Sequence, residues 1–222
     1  NMGTLQQSAG DLILVTNGSG AATVVNNAAI DFGTSNVGGA LDVTASAGTI
    51  TQNGGALTVA GTSAFTTSTN DQAITLSNTT NALTGAVAFT TGGTTGNVVI
   101  DNGTTGLDLA ASTISGTLTA TGGASAGIVD SGNVAVAGNV TLTTDAGNGV
   151  INMGTLQQSA GDLILVTNGT GAATVVNNAG IDFGTSNVGG ALSATASAGN
   201  ITQNGGAITV AGTSSFILGA NS

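Results

Sequence analysis

Apolar and hydroxyl-bearing residues alternate through short stretches of the chain: Thr49-Ile50-Thr51, Leu57-Thr58-Val59, Ile74-Thr75-Leu76, Leu118-Thr119 and Val140-Thr141-Leu142-Thr143. A period of two sends successive side chains to opposite faces, so each stretch predicts a strand with one buried side. Asn17-Gly18, Asn53-Gly54-Gly55, Gly92-Gly93, Asn102-Gly103 and Gly122-Gly123 separate these stretches. They predict turns, because Gly and Asn tolerate positive φ. Helix is excluded by 38 glycines and by the complete absence of Glu, Lys and Arg, the usual residues of a helix surface.

The pattern also recurs at long range. Residues 1–65 return as 152–216, an offset of 151, with seven substitutions: Ser19/Thr170, Ala29/Gly180, Asp42/Ser193, Val43/Ala194, Thr49/Asn200, Leu57/Ile208 and Ala64/Ser215. A weaker echo links Gly39–Ala45 and Gly55–Gly61 to the stretches from Gly116 and Asn133, at an offset of about 77. Each long repeat thus divides into halves of about 75 residues, and fixed periods of this kind mean stacked units. The chain starts and stops inside a repeat, which reads as a window on a longer array.

About nine strands are expected per half-repeat, near residues 12, 23, 30, 41, 50, 58, 64, 74 and 83. Grouped three to a coil, they predict an all-β fold, a right-handed parallel β-helix of roughly 25 residues per coil and about nine coils, forming one continuous solenoid over 1–222. At ~4.8 Å per coil the rod would be on the order of 43 Å long. An antiparallel sandwich also accommodates short strands, but it has no need of a near-identical sequence at an offset of 151. Leu41, Ile50, Leu57, Val59, Phe65, Ile74, Leu76, Val87, Phe89, Leu118, Val140 and Leu142 are the expected inward residues. Asn53 and Asn204, in Thr-Gln-Asn-Gly-Gly, are candidates for amide ladders between coils, against the plainer reading of turn Asn.

Composition narrows the chemistry. Lys, Arg, His, Cys, Pro, Trp and Tyr are absent, the ten acids are all Asp, and charged residues make up 5% of the chain against roughly 25% in an ordinary domain. No imidazole, thiolate or amine is available for catalysis, and no side-chain cation for phosphate, so nucleic acid is not an expected partner. No cofactor and no metal site is expected. No apolar run approaches the roughly 20 residues that span a bilayer, and Asn1-Met2-Gly3-Thr4 does not open a signal peptide. Without Cys, stability has to come from backbone pairing and packing.

Three weak constellations remain. Asp101 and Asp108 are the nearest carboxylate pair, but a glycoside hydrolase needs two carboxyls facing one groove and aromatic platforms for the sugar, so the chain is expected not to be an enzyme. Asp145-Ala146-Gly147-Asn148-Gly149 and Asp101-Asn102-Gly103 hold calcium-type oxygens without matching a calcium-loop motif. Thr-x-Thr triplets at Thr49/Thr51, Thr117/Thr119, Thr119/Thr121 and Thr141/Thr143 could present ordered hydroxyls to ice or carbohydrate, though exposed Thr is also simply a good strand former. Asn-x-Ser/Thr triplets at Asn17, Asn78, Asn102, Asn139, Asn168 and Asn200 are expected by chance in such a sequence.

The block Gly39–Thr62, with its copy at Gly190–Thr213, resembles the repeats of very large bacterial surface proteins, the filamentous-haemagglutinin-like and autotransporter-type adhesins. The resemblance implies a β-helical stalk secreted across an outer membrane and displayed as a fibre at the cell surface. It carries over no functional residues. The expected role is a structural segment of an extracellular bacterial fibre or adhesin stalk. Partners would be further copies stacked head to tail, and host or surface glycans. The alternative is a binding module that uses a flat Thr/Asn-rich face for carbohydrate or ice.

Overall fold

The computed structural model describes residues 1–123, 126–145 and 147–221. Within them the chain is all-β without helix, its strands parallel and stacked in about 10 coils spaced about 22 residues apart: a β-solenoid. Two hydrogen-bonded sheets form its walls. The 13-stranded sheet runs Met2–Leu5, Ala22–Asn26, Leu41–Ala45, Ser63–Asn70, Val87–Gly92, Leu107–Leu109, Ile128–Asp130, Ile151–Gln158, Ala173–Asn177, Leu192–Ala198 and Ser214–Asn221, with Ser112–Ile114 and Val134–Val136 beside this path. The 10-stranded sheet takes the intervening segments, from Ile30–Val37 and Ile50–Val59 to Ile181–Val188 and Ile201–Val210.

The coils are shorter than the sequence pattern predicts, and one expected corner, Asn53-Gly54-Gly55, lies inside a strand. It does not turn the chain. The stretches around residues 50 and 58 form one strand, Ile50–Val59, which stays paired to Ile30–Val37 across register shifts at Gly33. Gly55 has φ 149° and Gly54 sits against the Gly33 Cα, so two glycines let the strand bulge and bend without leaving its sheet. Two of the three strands assigned to such a coil therefore lie on one wall.

Coil length varies around that mean. The step from Ala22 to its partner Leu41 is short, whereas that from Ser63 to its partner Val87 takes in more of the chain. Seven inter-strand steps separate Ala22–Asn26 from its copy Ala173–Asn177 on the same sheet, so the long repeat spans seven coils. The weaker echo behaves differently. Leu41 belongs to the 13-stranded sheet and Leu118 to the 10-stranded one, so this offset is three and a half turns, and the same pattern serves opposite walls.

Every residue expected to face inward is buried. Ile30, Ile50, Ile74, Val98, Leu118, Val140 and Leu163 stack in register through seven consecutive strands. Phe32, Phe65 and Phe89 form a ring column, edge-on at 6.3 Å and then stacked at 5.9 Å. Parallel pairing at one strand spacing places like side chains above one another, so each coil's core is completed by its neighbours. Corners are tight for the same reason: a Cβ on Gly61 would lie 2.6 Å from the Ala40 nitrogen of the preceding coil.

Candidate functional site: coil-to-coil clamps and the open coil face

Polar side chains cluster where one coil meets the next. Inside the solenoid the clamp is a buried amide. Asn26 accepts from the Gln7 nitrogen at 3.0 Å and donates to the Gln7 carbonyl at 2.9 Å and the Ala29 carbonyl at 2.8 Å. Asn102 does the same with Leu83 and Gly106, and Asn177 with Gln158 and Gly180. All three are fully buried, and each reaches back to the coil before its own. A primary amide both donates and accepts without carrying charge, which suits a site where a carboxylate would be costly to desolvate. Asn81 and Gln52 add a reciprocal pair at 2.6 and 2.9 Å, with Asn81 also accepting from the Leu57 nitrogen at 2.8 Å.

On the rim the clamp is a carboxylate. Asp31 accepts from the Asn53 nitrogen at 3.0 Å and the Asn53 amide at 2.8 Å, and Asp182 repeats both bonds with Asn204 at 3.0 Å. The candidate Asn53 and Asn204 ladders are thus replaced by Asp–Asn pairs: Asp31 and Asp182, in register with Thr51 and Thr202, put a charged and stronger acceptor within reach of the Asn two residues on. Asp130 holds the Gly154 and Thr155 nitrogens at 2.8 and 2.7 Å. Asp71, itself in the left-handed region at φ 62°, receives the Thr94 and Thr95 nitrogens at 2.7 and 2.8 Å. Those backbone N–H donors, Thr94 first, lower the Asp71 pKa, and the Asn204 amide leads the lowering at Asp182.

Asp101 ends a strand of the 10-stranded sheet and Asp108 sits on the other, so the structure places the two carboxylates on different walls. Asp101 Oδ1 accepts from the Gly103 nitrogen at 2.8 Å, and the Asn102 amide is turned inward as a clamp. That use removes Asn102 from both the calcium and the glycosylation readings. In Asp145–Gly149, Ala146 lies outside the described residues, while Asn148 Oδ1 accepts from the Thr170 nitrogen at 2.9 Å. Thr119 pairs with Thr141 and Thr121 with Thr143, but the next strand offers Ile164 and Val166 in those columns and the preceding one Val99 and Asp101. The hydroxyl rank is two coils deep. The neighbouring coils do not extend it.

Nothing in a lone Asn marks it as buried. What distinguishes Asn26, Asn102 and Asn177 in sequence is their place at or just past the end of an alternating stretch, in phase with its inward residues: Val24 then Asn26, Ile100 then Asn102, Val175 then Asn177.

The face of the coil Ile201–Asn221 is open. Phe216, Ile217 and Leu218 are 50%, 47% and 53% exposed, and Phe183, Ile201, Ile208, Phe216 and Leu218 line a cavity of about 680 Å³. Phe216 still meets Phe183 edge-on at 6.0 Å. Residues 201–216 of this coil repeat residues 50–65, where Phe65 is fully buried.

A family model described as repeats of unknown function (DUF5649) matches the chain three times, at residues 19–90, 95–167 and 170–222. The chain belongs to this family. No match was found among curated proteins or among solved structures. The DUF5649 matches begin at Ser19, Thr95 and Thr170, an interval close to that of the weaker echo, so successive repeats enter the solenoid on opposite walls. Repeats that stack into a β-solenoid fit a structural or a binding module. Among the described residues no helix is long and apolar enough to cross a membrane.

Proposed function

We propose that this DUF5649 array is a non-catalytic structural segment of an extracellular bacterial fibre or adhesin stalk, in which the solenoid sets reach and rigidity. The observation that carries the reading is the seven-coil length of the long repeat. A whole number of coils returns each copy to the same wall at the same register, so repeats add length without changing the cross-section. Seven coils at ~4.8 Å add about 34 Å per long repeat. Support also comes from the clamps, whose backbone bonds lock coil to coil, and from the absence of Lys and Arg, which leaves trypsin-like proteases no cleavage site. Partners under this reading are further coils stacked on the open faces, including those of other copies. Glycan binding would be an added property of a wall.

Negative-stain microscopy tests the reading. Single molecules should be unbranched rods about 48 Å long, ten coils at ~4.8 Å each, and a chain extended by one more long repeat should be longer by about 34 Å. Globular particles, or a length that does not grow with repeat number, would sink it.

A further inference from the structure

Asp71 and Asn148 are the two non-glycine residues of the described chain with a left-handed backbone, at φ 62° and 68°. They stand 77 residues apart, the offset of the weaker echo, and their surroundings match. Thr67 Oγ1 donates to the Gln72 carbonyl and Thr144 Oγ1 to the Gly149 carbonyl, both at 3.2 Å. In the next coil each faces a left-handed glycine, Gly93 at φ 87° and Gly169 at φ 60°, on which a Cβ would strike the Oδ1 of Asp71 or Asn148. The following N–H reaches that oxygen: Thr94 donates to Asp71 at 2.7 Å and Thr170 to Asn148 at 2.9 Å. One position is thus a carboxylate clamp, and the other holds an amide in the same socket. The residue that follows differs, Gln72 at the first and Gly149 at the second.

We propose that Asn148-Gly149 is a self-modifying site, which converts by deamidation into a carboxylate clamp like that of Asp71. Glycine has no side chain to hinder attack by its own nitrogen on the preceding side-chain carbonyl. The Gly149 nitrogen attacks Asn148 Cγ: the N–Cγ bond forms, the Cγ–Nδ2 bond breaks, and ammonia leaves with the proton from Gly149, closing a succinimide. Water then adds to a ring carbonyl and opens the ring, to aspartate when the new N–Cγ bond breaks and to isoaspartate when the original Asn148–Gly149 peptide bond breaks. One water is consumed and one ammonia released, with no change of oxidation state. The Thr170 N–H points at the oxygen on which negative charge develops during the attack, the place of an oxyanion donor. After opening to aspartate the same N–H meets a carboxylate, a stronger acceptor than the amide.

The other five Asn-Gly steps lack this combination. Asn102 is buried, with its amide donating to the Leu83 and Gly106 carbonyls. Asn53 and Asn204 donate theirs to Asp31 and Asp182, so the leaving group is held and a new carboxylate would face a like charge. Asn168 donates to the Asp145 carbonyl, and among the described residues neither it nor Asn17 receives an N–H at Oδ1. Asn148 is exposed, and its amino group has no partner among the described residues.

Ageing the whole 222-residue chain at mildly alkaline pH, folded and in urea, tests this when pepsin peptides are read by mass spectrometry for replacement of NH2 by OH. Asn148 should convert at least as fast folded as unfolded, whereas folding should slow Asn53, Asn102 and Asn204 about tenfold or more. Thr170→Pro removes the N–H donor and should slow Asn148 about tenfold in the folded chain while leaving its rate in urea unchanged, with circular dichroism confirming the variant's strand content. Protection of Asn148 by folding equal to that of Asn102 overturns the proposal, and so does a folded Thr170→Pro chain that converts at the parent's rate. The first comparison uses the parent chain alone and decides the matter even where Thr170→Pro fails to fold.

Discussion

Ile50–Asn70 and Ile201–Asn221 begin with nearly the same residues and form the same pair of strands, yet one is core and the other is surface. In the first, Ile50, Gln52, Leu57, Val59 and Phe65 are buried; in the second, the corresponding Ile201, Gln203, Ile208, Val210 and Phe216 are part or fully exposed. Local sequence is enough to make a strand with alternating faces. Burial is supplied by the next coil, as expected of a quasi-one-dimensional fold in which each unit contacts only its neighbours. Stability should therefore vary along the rod according to what covers each coil, even at matched residues.

The largest test of that contrast is the paired truncation of its two rings. Phe65→Ala removes the middle of a three-ring column and should cost about 3–5 kcal/mol in urea unfolding. Phe216→Ala, already half exposed, should cost less than about half as much. Equal losses would mean that the two coils are equivalently packed in solution.

Next come the buried amides, where both members of a repeated pair are interior and should behave alike. Asn26→Leu and Asn177→Leu each orphan a backbone nitrogen and a carbonyl of the preceding coil and a carbonyl of their own, and each should destabilise by about 3 kcal/mol, at roughly 1–3 kcal/mol per unsatisfied group. A difference greater than about 1 kcal/mol between them would show that position along the rod matters even where the contacts match.

Gln52→Ala and Gln203→Ala restate the contrast at smaller scale. Removing Gln52 deletes its two bonds to Asn81 and its bond to the Gly55 carbonyl, while Asn81 keeps Leu57, Leu76 and Asp101; the loss should be about 1–2 kcal/mol, whereas Gln203→Ala should stay within about 0.5 kcal/mol. Thermal melts of the two variants beside the parent chain would show it.

Acid gives the smallest and most distributed effect. Asp71 and Asp182 have folded pKa values lowered by the N–H groups they accept, so they contribute stability that is complete above the unfolded aspartate value of about 3.9. That contribution is lost as pH falls through the lower, folded values. Melting temperature should be flat from pH 7 to about 5 and decline below about 4, with a shallower decline in Asp71→Asn and Asp182→Asn. An unchanged acid slope in the double variant would assign the decline to other carboxylates. The same protonation reduces the net charge of −10, so light scattering should also show more association below about pH 4 and at high salt.

Strand character, the inward set from Leu41 to Leu142 and the equivalence of residues 1–65 with 152–216 are legible in the chain alone, because alternation and self-similarity are local properties that each stretch carries. How the chain is wound belongs to the packed molecule. Asn53-Gly54-Gly55 has turn composition, yet it bulges within a paired strand, because Ile30–Val37 beneath it offers continuous hydrogen bonding on both sides of the glycines. With about 22 residues to the coil, the long repeat makes seven turns where six were expected, and the weaker echo falls on the opposite wall. The same holds for the polar residues. Asn102 and Asn53 both precede Gly in the sequence, but one is sealed in the core and the other lies on the rim, held by Asp31. Their roles depend on which residue lies one coil away, and coil length, a property of the packed stack, sets that neighbour.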